Sequence, residues 1–228
     1  MLWKRIVEFG FYLLYNQFAW LYDIVSWIVS LGEWRKWQVA SLNFLKGPNV
    51  LEIAHGPGHM LIEMHQRGWS VTGLDLSTAM GRVARARLER HGLNHEIPLI
   101  RCHVPDIAFQ SAIFDGILSQ FPTRFIFETE TLKTFHRLLK PAGVLVILPE
   151  GHLTSEGLIA RLIHWLFVIT GQTAGNRDTG QDENPADDRL NIFWETYKLQ
   201  LAAAGFTADI HSVHLEKSVA TVIVAQKE

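Results

Sequence analysis

A glycine-rich turn follows the first short apolar segment of the chain, where residues 52–58 read EIAHGPG. When a strand ends in such a turn and leads into a helix, backbone N–H groups come close to a nucleotide-like ligand. The dinucleotide-binding fingerprint does not fit, because its third glycine, counted from Gly56, would fall on Leu61. The turn therefore predicts a nucleotide-like ligand without fixing its identity.

A carboxylate, Asp75, ends the next apolar segment, 20 residues after His55. At the end of a second strand in a nucleotide-binding α/β fold, a carboxylate can accept hydrogen bonds from both hydroxyls of a ribose. The alternative is that Asp75 only caps the helix that follows. Ser77 is already a good N-cap, so the sequence favours ribose binding.

The elements that must position these groups follow from an alternation of short apolar segments with helix-length segments. Strands are predicted at 49–54, 70–74, 99–104, 114–119 and 144–148, and helices at 60–67 and 77–90. The Pro141-Ala142-Gly143 tripeptide predicts a turn before the fifth strand. Strands separated by helices indicate parallel βαβ units.

The C-terminal third has a different pattern. An apolar helix is predicted at 158–170, a polar loop at 171–189 and a helix at 191–204 that ends at Gly205. Two strands at 207–215 and 218–226 are separated by two residues only, which predicts an antiparallel hairpin.

Composition excludes several classes of protein. The 228 residues carry a formal net charge of −2 and no basic patch with interleaved aromatic residues, so no nucleic-acid partner is expected. The single cysteine, Cys102, cannot form an internal disulfide and fits a reducing, cytoplasmic compartment. No metal site is expected, because a glycine-proline-glycine run separates His55 from His59 and prevents a helical ligand pair.

Five landmarks follow one another along the chain. They are Glu52, Ala54, Gly56 and Gly58 in the first motif, Asp75 after strand two, Ile107-Ala108-Phe109, Phe114-Asp115, and residues 138–143. In this order they resemble the class I S-adenosylmethionine-dependent methyltransferases, in particular the ubiquinone/menaquinone-biosynthesis-like (type 11) branch. The resemblance covers about residues 46–150.

This resemblance implies an α/β fold with a Rossmann-like, seven-stranded, mostly parallel sheet whose last strand is antiparallel. Helices are expected on both faces of the sheet, with an N-terminal helical cap. We divide the chain into the cap, residues 1–46, and the methyltransferase domain, residues 47–228, with a helical and loop insert at about 151–190.

The resemblance also implies the residues that bind S-adenosyl-L-methionine. Glu52 and the turn would hold the methionine part, Asp75 the ribose, and Leu76 and Met80 the adenine, although core packing is an equal interpretation for Met80. His103 stands where relatives carry an aspartate that bonds the adenine amino group, and Ala54 replaces a glycine. The full cofactor set is Glu52, Ala54, His55, Gly56, Gly58, Asp75, Leu76, Met80, His103, Val104 and Ser119.

Methyl transfer from a sulfonium is an in-line displacement that needs positioning and desolvation more than an acid or base. The product is S-adenosyl-L-homocysteine. Catalytic side chains are therefore not fixed by the sequence. The weak candidates are Tyr22, Gln120 and His152, with Tyr15, Asp23 and Thr123 behind them.

The acceptor is expected to be a small hydrophobic molecule, of lipid or quinone type, because residues 3–40 and 158–170 are rich in apolar and aromatic side chains. The same segments could contact a membrane peripherally. The alternatives are a non-catalytic cofactor-binding regulatory or assembly module, and a nicotinamide-dependent reductase of similar topology. The sequence predicts no oligomeric state.

Overall fold

The computed structural model describes residues 26–28, 30–154 and 185–228, with side chains described from Trp194 onward in the last helix. The strands in this part of the chain are β1 (Asn49–Ile53), β2 (Ser70–Leu74), β3 (Leu99–Ile100), β4 (Phe114–Gln120), β5 (Leu139–Leu153), β6 (Phe206–His214) and β7 (Ser218–Lys227). The helices are α1 (Trp34–Ser41), α2 (His59–Gln66), α3 (Thr78–Arg90), α4 (Thr129–Leu138) and α5 (Pro185–Ala203). Short 3₁₀ turns lie at Leu42–Phe44, Val104–Asp106 and Arg124–Phe127.

The seven strands form one sheet in the order β3-β2-β1-β4-β5-β7-β6. Strands β1 to β5 are mutually parallel, whereas β7 runs antiparallel to both β5 and β6. This topology confirms the predicted seven-stranded, mostly parallel fold with an antiparallel last strand. The strand order reverses between β1 and β4, and ligands of such sheets bind beside the carboxyl ends of the strands at that point.

Two apolar clusters cover the two faces of the sheet, which explains why the inner strands are almost continuously hydrophobic. One cluster joins the sheet to α1, α2 and α3 through Trp37, Met64 and Leu88. The other joins it to α4 and α5 through Phe135 and Leu201. Helices therefore lie on both faces of the sheet, as predicted.

Strand β3 is shorter than predicted. The sequence indicated a strand over 99–104, but only Leu99 and Ile100 pair with β2. Val104 lies in a 3₁₀ turn with Pro105, which has no N–H to donate to a strand ladder. A buried apolar side chain at position 104 thus belongs to a turn rather than to a strand.

Strand β5 is longer than predicted, and the expected turn at 141–143 is absorbed into it. Leu139 pairs with Phe114, whereas Val144 pairs with Gly116. Residues 140–143 therefore form a bulge in which Ala142 has a φ of 58°. The last helix also begins earlier than expected, at Pro185, so the end of the predicted polar loop is helical.

Helix α1 is tied to the opposite end of the chain by a buried hydrogen-bond chain. Trp37 Nε1 donates to Ser218 Oγ over 2.9 Å, and Ser218 Oγ donates to Glu33 Oε2 over 2.8 Å. Lys36 Nζ pairs with the other oxygen of Glu33 at 2.7 Å. A Cβ at Gly151 would overlap the Trp37 ring, so only glycine lets β5 pass beneath it.

The described N-terminal residues are helical at 26–28, 30 and 34–41, which agrees with the expected cap. The predicted helix 158–170, the residues Tyr15, Tyr22 and Asp23, and most of the predicted loop 171–189 lie outside the described residues. The division into a cap and a domain remains a prediction.

Candidate active site

The turn after β1 is built from three residues with left-handed backbone. Ala54, Gly56 and Gly58 have φ values of 56°, 54° and 80°. The Ala54 N–H donates to the Leu74 carbonyl over 2.7 Å, which holds the start of the turn against β2. A Cβ at Gly58 would lie 3.0 Å from the Cβ of Ala84, so glycine there also allows α2 to approach α3 closely.

Ala54 has the strained conformation that a glycine adopts without cost. We expect Ala54→Gly to stabilise the folded protein by about 1 kcal/mol or slightly less, since relief of left-handed strain is partly offset by a more flexible unfolded chain. Urea denaturation measures this change. Ala108→Gly, at an exposed site with φ below zero, is the matched control and should not stabilise the protein. An Ala54→Gly variant that is less stable than the wild type would contradict the inference that the backbone at Ala54 is strained.

Asp75 ties the turn to the start of α3. Its Oδ2 accepts a hydrogen bond from the Gly56 N–H at 2.9 Å, and its Oδ1 accepts one from the Ser77 N–H at 2.8 Å. Ser77 is the N-cap of α3, with its Oγ accepting from Met80 N at 3.2 Å. Each carboxylate oxygen retains a second lone pair, so Asp75 can order the turn and still accept bonds from ribose hydroxyls.

Glu52 is a buried carboxyl group at the carboxyl end of β1. Its side chain is 3% exposed, and its Oε2 has no hydrogen-bond partner among the described residues. Burial, assisted by the negative charge of Asp75, raises the pKa of Glu52 well above its usual range. Such a group is unstable as an anion until a positively charged ligand group pairs with it.

Gln120 ends β4 next to the glycine turn and is 8% exposed. Its Nε2 donates to the Gln38 carbonyl and to Ser41 Oγ, both at 2.9 Å. A carbonyl can only accept, which fixes the orientation of the amide. The Gln120 Oε1 is buried and has no hydrogen-bond partner in the described part of the chain.

A cavity of about 260 Å³ lies between α1, the glycine turn and the start of α2. Of the residues proposed from the sequence, it brings together Glu52, Ala54, His55, Gly56 and Gln120. The remaining lining residues are Ser26, Trp27, Gly32, Trp34, Arg35, Gln38, Pro57, His59 and Met60. The sequence indicated an aromatic N-terminal segment near the site. His59 was considered only as a metal ligand, and Gln38 was not singled out.

His55 and Met80 are both buried beside the site. His55 Nδ1 donates to the Gly56 carbonyl over 2.8 Å, and burial lowers the pKa of the imidazole. Met80 packs with Ala79 and Val83 and is 1% exposed, which agrees with its interpretation as helix core. An adenine contact for Met80 remains a prediction.

The other sequence-predicted cofactor residues lie outside the cavity wall. Leu76 and His103 are exposed, whereas Val104 is buried. Ser119 is fully buried, and its Oγ donates to the Ile53 carbonyl over 3.2 Å. Contacts of these residues with a cofactor remain predictions.

His152 lies on the extension of β5 and pairs with Glu150, with 2.9 Å between Nε2 and Oε1. It does not line the cavity, so the structure places Gln120 and not His152 at the glycine turn. Within the described residues, no cluster of three or more His, Cys, Asp or Glu could hold a metal ion.

Comparison with known proteins decides the family. A family model described as a methyltransferase domain matches residues 50–143. The chain is 30% identical over 199 residues to a demethylmenaquinone methyltransferase of Symbiobacterium thermophilum, covering 78% of this chain and 79% of the relative. The chain belongs to the class I S-adenosylmethionine-dependent methyltransferases of the ubiquinone/menaquinone-biosynthesis type.

A second curated relative agrees with this assignment, and a solved structure agrees with the fold. The methyltransferase is 26% identical over 205 residues to the ubiquinone/menaquinone biosynthesis C-methyltransferase UbiE of Pseudoalteromonas translucida, covering 85% of this chain and 81% of the relative. A solved methyltransferase of Aquifex aeolicus shares the fold, with a TM-score of 0.57 and 19% identity over 84% and 89% of the two chains. Both curated relatives are named as methyltransferases, and neither name supports a non-catalytic module or a nicotinamide-dependent reductase.

The site fits S-adenosylmethionine. The unpartnered Oε2 of Glu52 is an acceptor for an ammonium group, and open space beside Gly56 leaves room for a ligand against the backbone. Asp75 follows β2, the position that holds a ribose in this class of fold. In the described part of the chain, no helix is both long and apolar enough to cross a bilayer.

Proposed function

We propose that the methyltransferase methylates a ring carbon of a reduced, hydrophobic quinone. The observation that carries this proposal is the composition of the cavity, where indole rings from the N-terminal segment face the glycine turn. Trp34, which lines the cavity, stacks on Phe121 with ring centroids 3.7 Å apart, so a fixed aromatic ring forms part of the wall. Such a surface suits a planar, apolar acceptor. The names of the two curated relatives, which act in quinone biosynthesis, support the same acceptor class.

Bound S-adenosylmethionine supplies a methyl group activated by its sulfonium charge. The ring carbon of a hydroquinone would donate the electron pair of the new carbon–carbon bond, and the cofactor would supply the methyl group and leave as S-adenosylhomocysteine with the bonding electrons on its neutral sulfur. The ring proton then leaves to solvent as aromaticity is restored. The chain's own residues would position the cofactor and exclude water: Glu52 would pair with the ammonium group, and Trp34 would shield the reacting centre from water.

The experiment is a turnover assay with a prenylated 1,4-naphthohydroquinone, with S-adenosylhomocysteine as the measured product. We expect methylation of the hydroquinone and none of the oxidised quinone, because only the reduced ring is nucleophilic at carbon. The dimethyl ether of the hydroquinone is the second control. Methylation of simple amines or thiols in place of every hydroquinone tried would overturn the acceptor class.

A pH dependence follows from Glu52. Its pKa is raised in the folded state, so its contribution to stability is complete below the unfolded value of about 4.5 and is lost as pH rises through the folded pKa. We expect the melting temperature of the ligand-free protein to fall with rising pH above 4.5 more steeply than that of Glu52→Gln. Scanning fluorimetry measures the change of melting temperature with pH. If this change is the same in the two proteins, the raised pKa of Glu52 is contradicted.

Peripheral contact with a membrane stays a prediction. Trp27, Ile28 and Leu31 are exposed by 65%, 52% and 46% on the N-terminal segment, and Trp27 also lines the cavity. An acceptor drawn from a lipid phase would enter a cavity with such a rim directly. Flotation with liposomes tests this, and a protein that stays in solution at both low and high salt would refute it.

A further inference from the structure

We propose that Gln120 recognises a hydrogen-bond donor of the bound ligand through its side-chain oxygen and so positions the ligand for methyl transfer. The proposal rests on the proposed function where it names the acceptor as the ligand. The role of the Gln120 oxygen in hydrogen bonding does not depend on which acceptor is bound. Gln120 is a positioning residue and not a base, because a carboxamide does not take up a proton near neutral pH.

The first observation is that α1 holds the amide of Gln120 in one orientation. The Gln38 carbonyl and Ser41 Oγ occupy both Nε2 protons, so the amide cannot rotate without losing both hydrogen bonds, one of them buried. Ser41 Oγ is itself oriented by donation to the Gln38 carbonyl over 2.8 Å. Helix α1 therefore fixes the direction of the opposite end of the amide.

The second observation is that the oxygen so directed has no partner. Gln120 is 8% exposed and lines the cavity, and its Oε1 is one of the buried oxygens without a hydrogen bond in the described residues. A buried acceptor left unsatisfied costs free energy that a ligand donor would recover. The site is thus preorganised for a ligand that brings an N–H or O–H group.

The third observation is that Gln120 and Glu52 offer two different kinds of unpartnered oxygen to a ligand. The two unpartnered oxygens lie on adjacent parallel strands, since Ile53 of β1 pairs with Ser119 of β4 and Gln120 is the next residue. Glu52 is the acidic partner and suits a cationic donor, whereas the neutral amide of Gln120 suits a neutral hydroxyl equally well. The donor to Gln120 is therefore either the hydroxyl of the acceptor or the ammonium of the cofactor.

The experiment measures binding by calorimetry, so that it does not depend on turnover. Gln120→Met keeps the size of the side chain and removes its polar atoms. One arm compares a prenylated 1,4-naphthohydroquinone with its dimethyl ether, on protein loaded with S-adenosylhomocysteine. The other arm compares S-adenosylhomocysteine with its analogue in which hydrogen replaces the amino group.

Loss of one buried hydrogen bond is expected to weaken binding by about tenfold. A tenfold loss for the hydroquinone but not for its ether supports the proposal and assigns the donor to the acceptor. A tenfold loss for S-adenosylhomocysteine but not for its deaminated analogue supports it and assigns the donor to the cofactor. Equal losses for both members of each pair, or no loss, overturn it.

Ser41→Ala is the matched control for the contact with α1, because it removes one partner of Nε2 and leaves Oε1 in place. Its effect is expected to be the same for both members of each pair, which separates anchoring from recognition. If the wild type binds no hydroquinone, the proposed acceptor class fails and the cofactor arm alone decides the role of Gln120. If hydroquinone is methylated but Gln120→Met shows no discrimination, the function stands and this proposal falls.

Discussion

Replacing Asp75 with alanine is expected to weaken the binding of S-adenosylmethionine by about 100-fold or more. The carboxylate accepts hydrogen bonds from the N–H groups of Gly56 and Ser77, and hence fixes the glycine turn relative to α3. Each bond to a charged acceptor contributes about 1.5–3 kcal/mol, and the proposed ribose contact is lost as well. Isothermal titration with S-adenosylmethionine and S-adenosylhomocysteine measures the change.

Two further variants make the result specific. Asp75→Asn retains the shape and one acceptor oxygen, so its affinity should lie between those of the wild type and the alanine variant. Asp209→Ala removes an exposed carboxylate from the outer strand β6 and should leave affinity unchanged. If the affinity of Asp75→Ala for the cofactor lies within threefold of the wild-type affinity, Asp75 neither fixes the glycine turn for binding nor contacts the ribose.

Replacing Trp37 with alanine is expected to reduce the free energy of unfolding by about 3–5 kcal/mol. The side chain is 1% exposed, lies over Gly151 and packs against Trp34 and Phe121. Its removal opens a large void and deletes the hydrogen bond from Nε1 to Ser218 Oγ. Urea denaturation followed by tryptophan fluorescence and by circular dichroism measures the loss.

Trp27→Ala is the matched control for Trp37, because it removes the same side chain from a site that is 65% exposed. Its effect on stability should stay within about 0.5 kcal/mol. If the two variants are destabilised equally, the contact of α1 with β5 and β7 does not contribute to the stability of the fold. Trp37→Phe, which retains most of the packing but not the hydrogen bond, separates the two contributions.

The glycine turn, Asp75 and the succession of strands and helices along the chain could be predicted because each depends on local sequence. A strand, a turn with Gly56 and Gly58, and a helix follow one another within 18 residues, 49–66. Gly58 is required by its left-handed φ and its approach to Ala84, both features that a family motif records. The N-cap at Ser77 is equally local.

The cavity could not be predicted in the same way, because its walls come from distant parts of the chain. Gln38 and Gln120 are 82 residues apart, and no periodicity indicates that they share a hydrogen bond. Strand β5 was underestimated because a bulge at 140–143 carries turn-forming residues inside a continuous strand. The apolar side chain of Val104 predicts a strand, but an apolar residue in a short segment does not distinguish a strand from a 3₁₀ turn.

The hydrogen bond between Ser218 and Glu33 joins residues 185 positions apart. During synthesis, residue 33 leaves the ribosome long before β7 does. Strand β7 carries Ser218 and pairs with β5. Helix α1 can contact Gln120 and Phe121 once β4 is made, but its buried hydrogen bond to Ser218 has to wait for β7. The β1–β4 half of the sheet can therefore form before β7 is synthesised, whereas the buried hydrogen bonds that anchor α1 to β7 form only after residue 218.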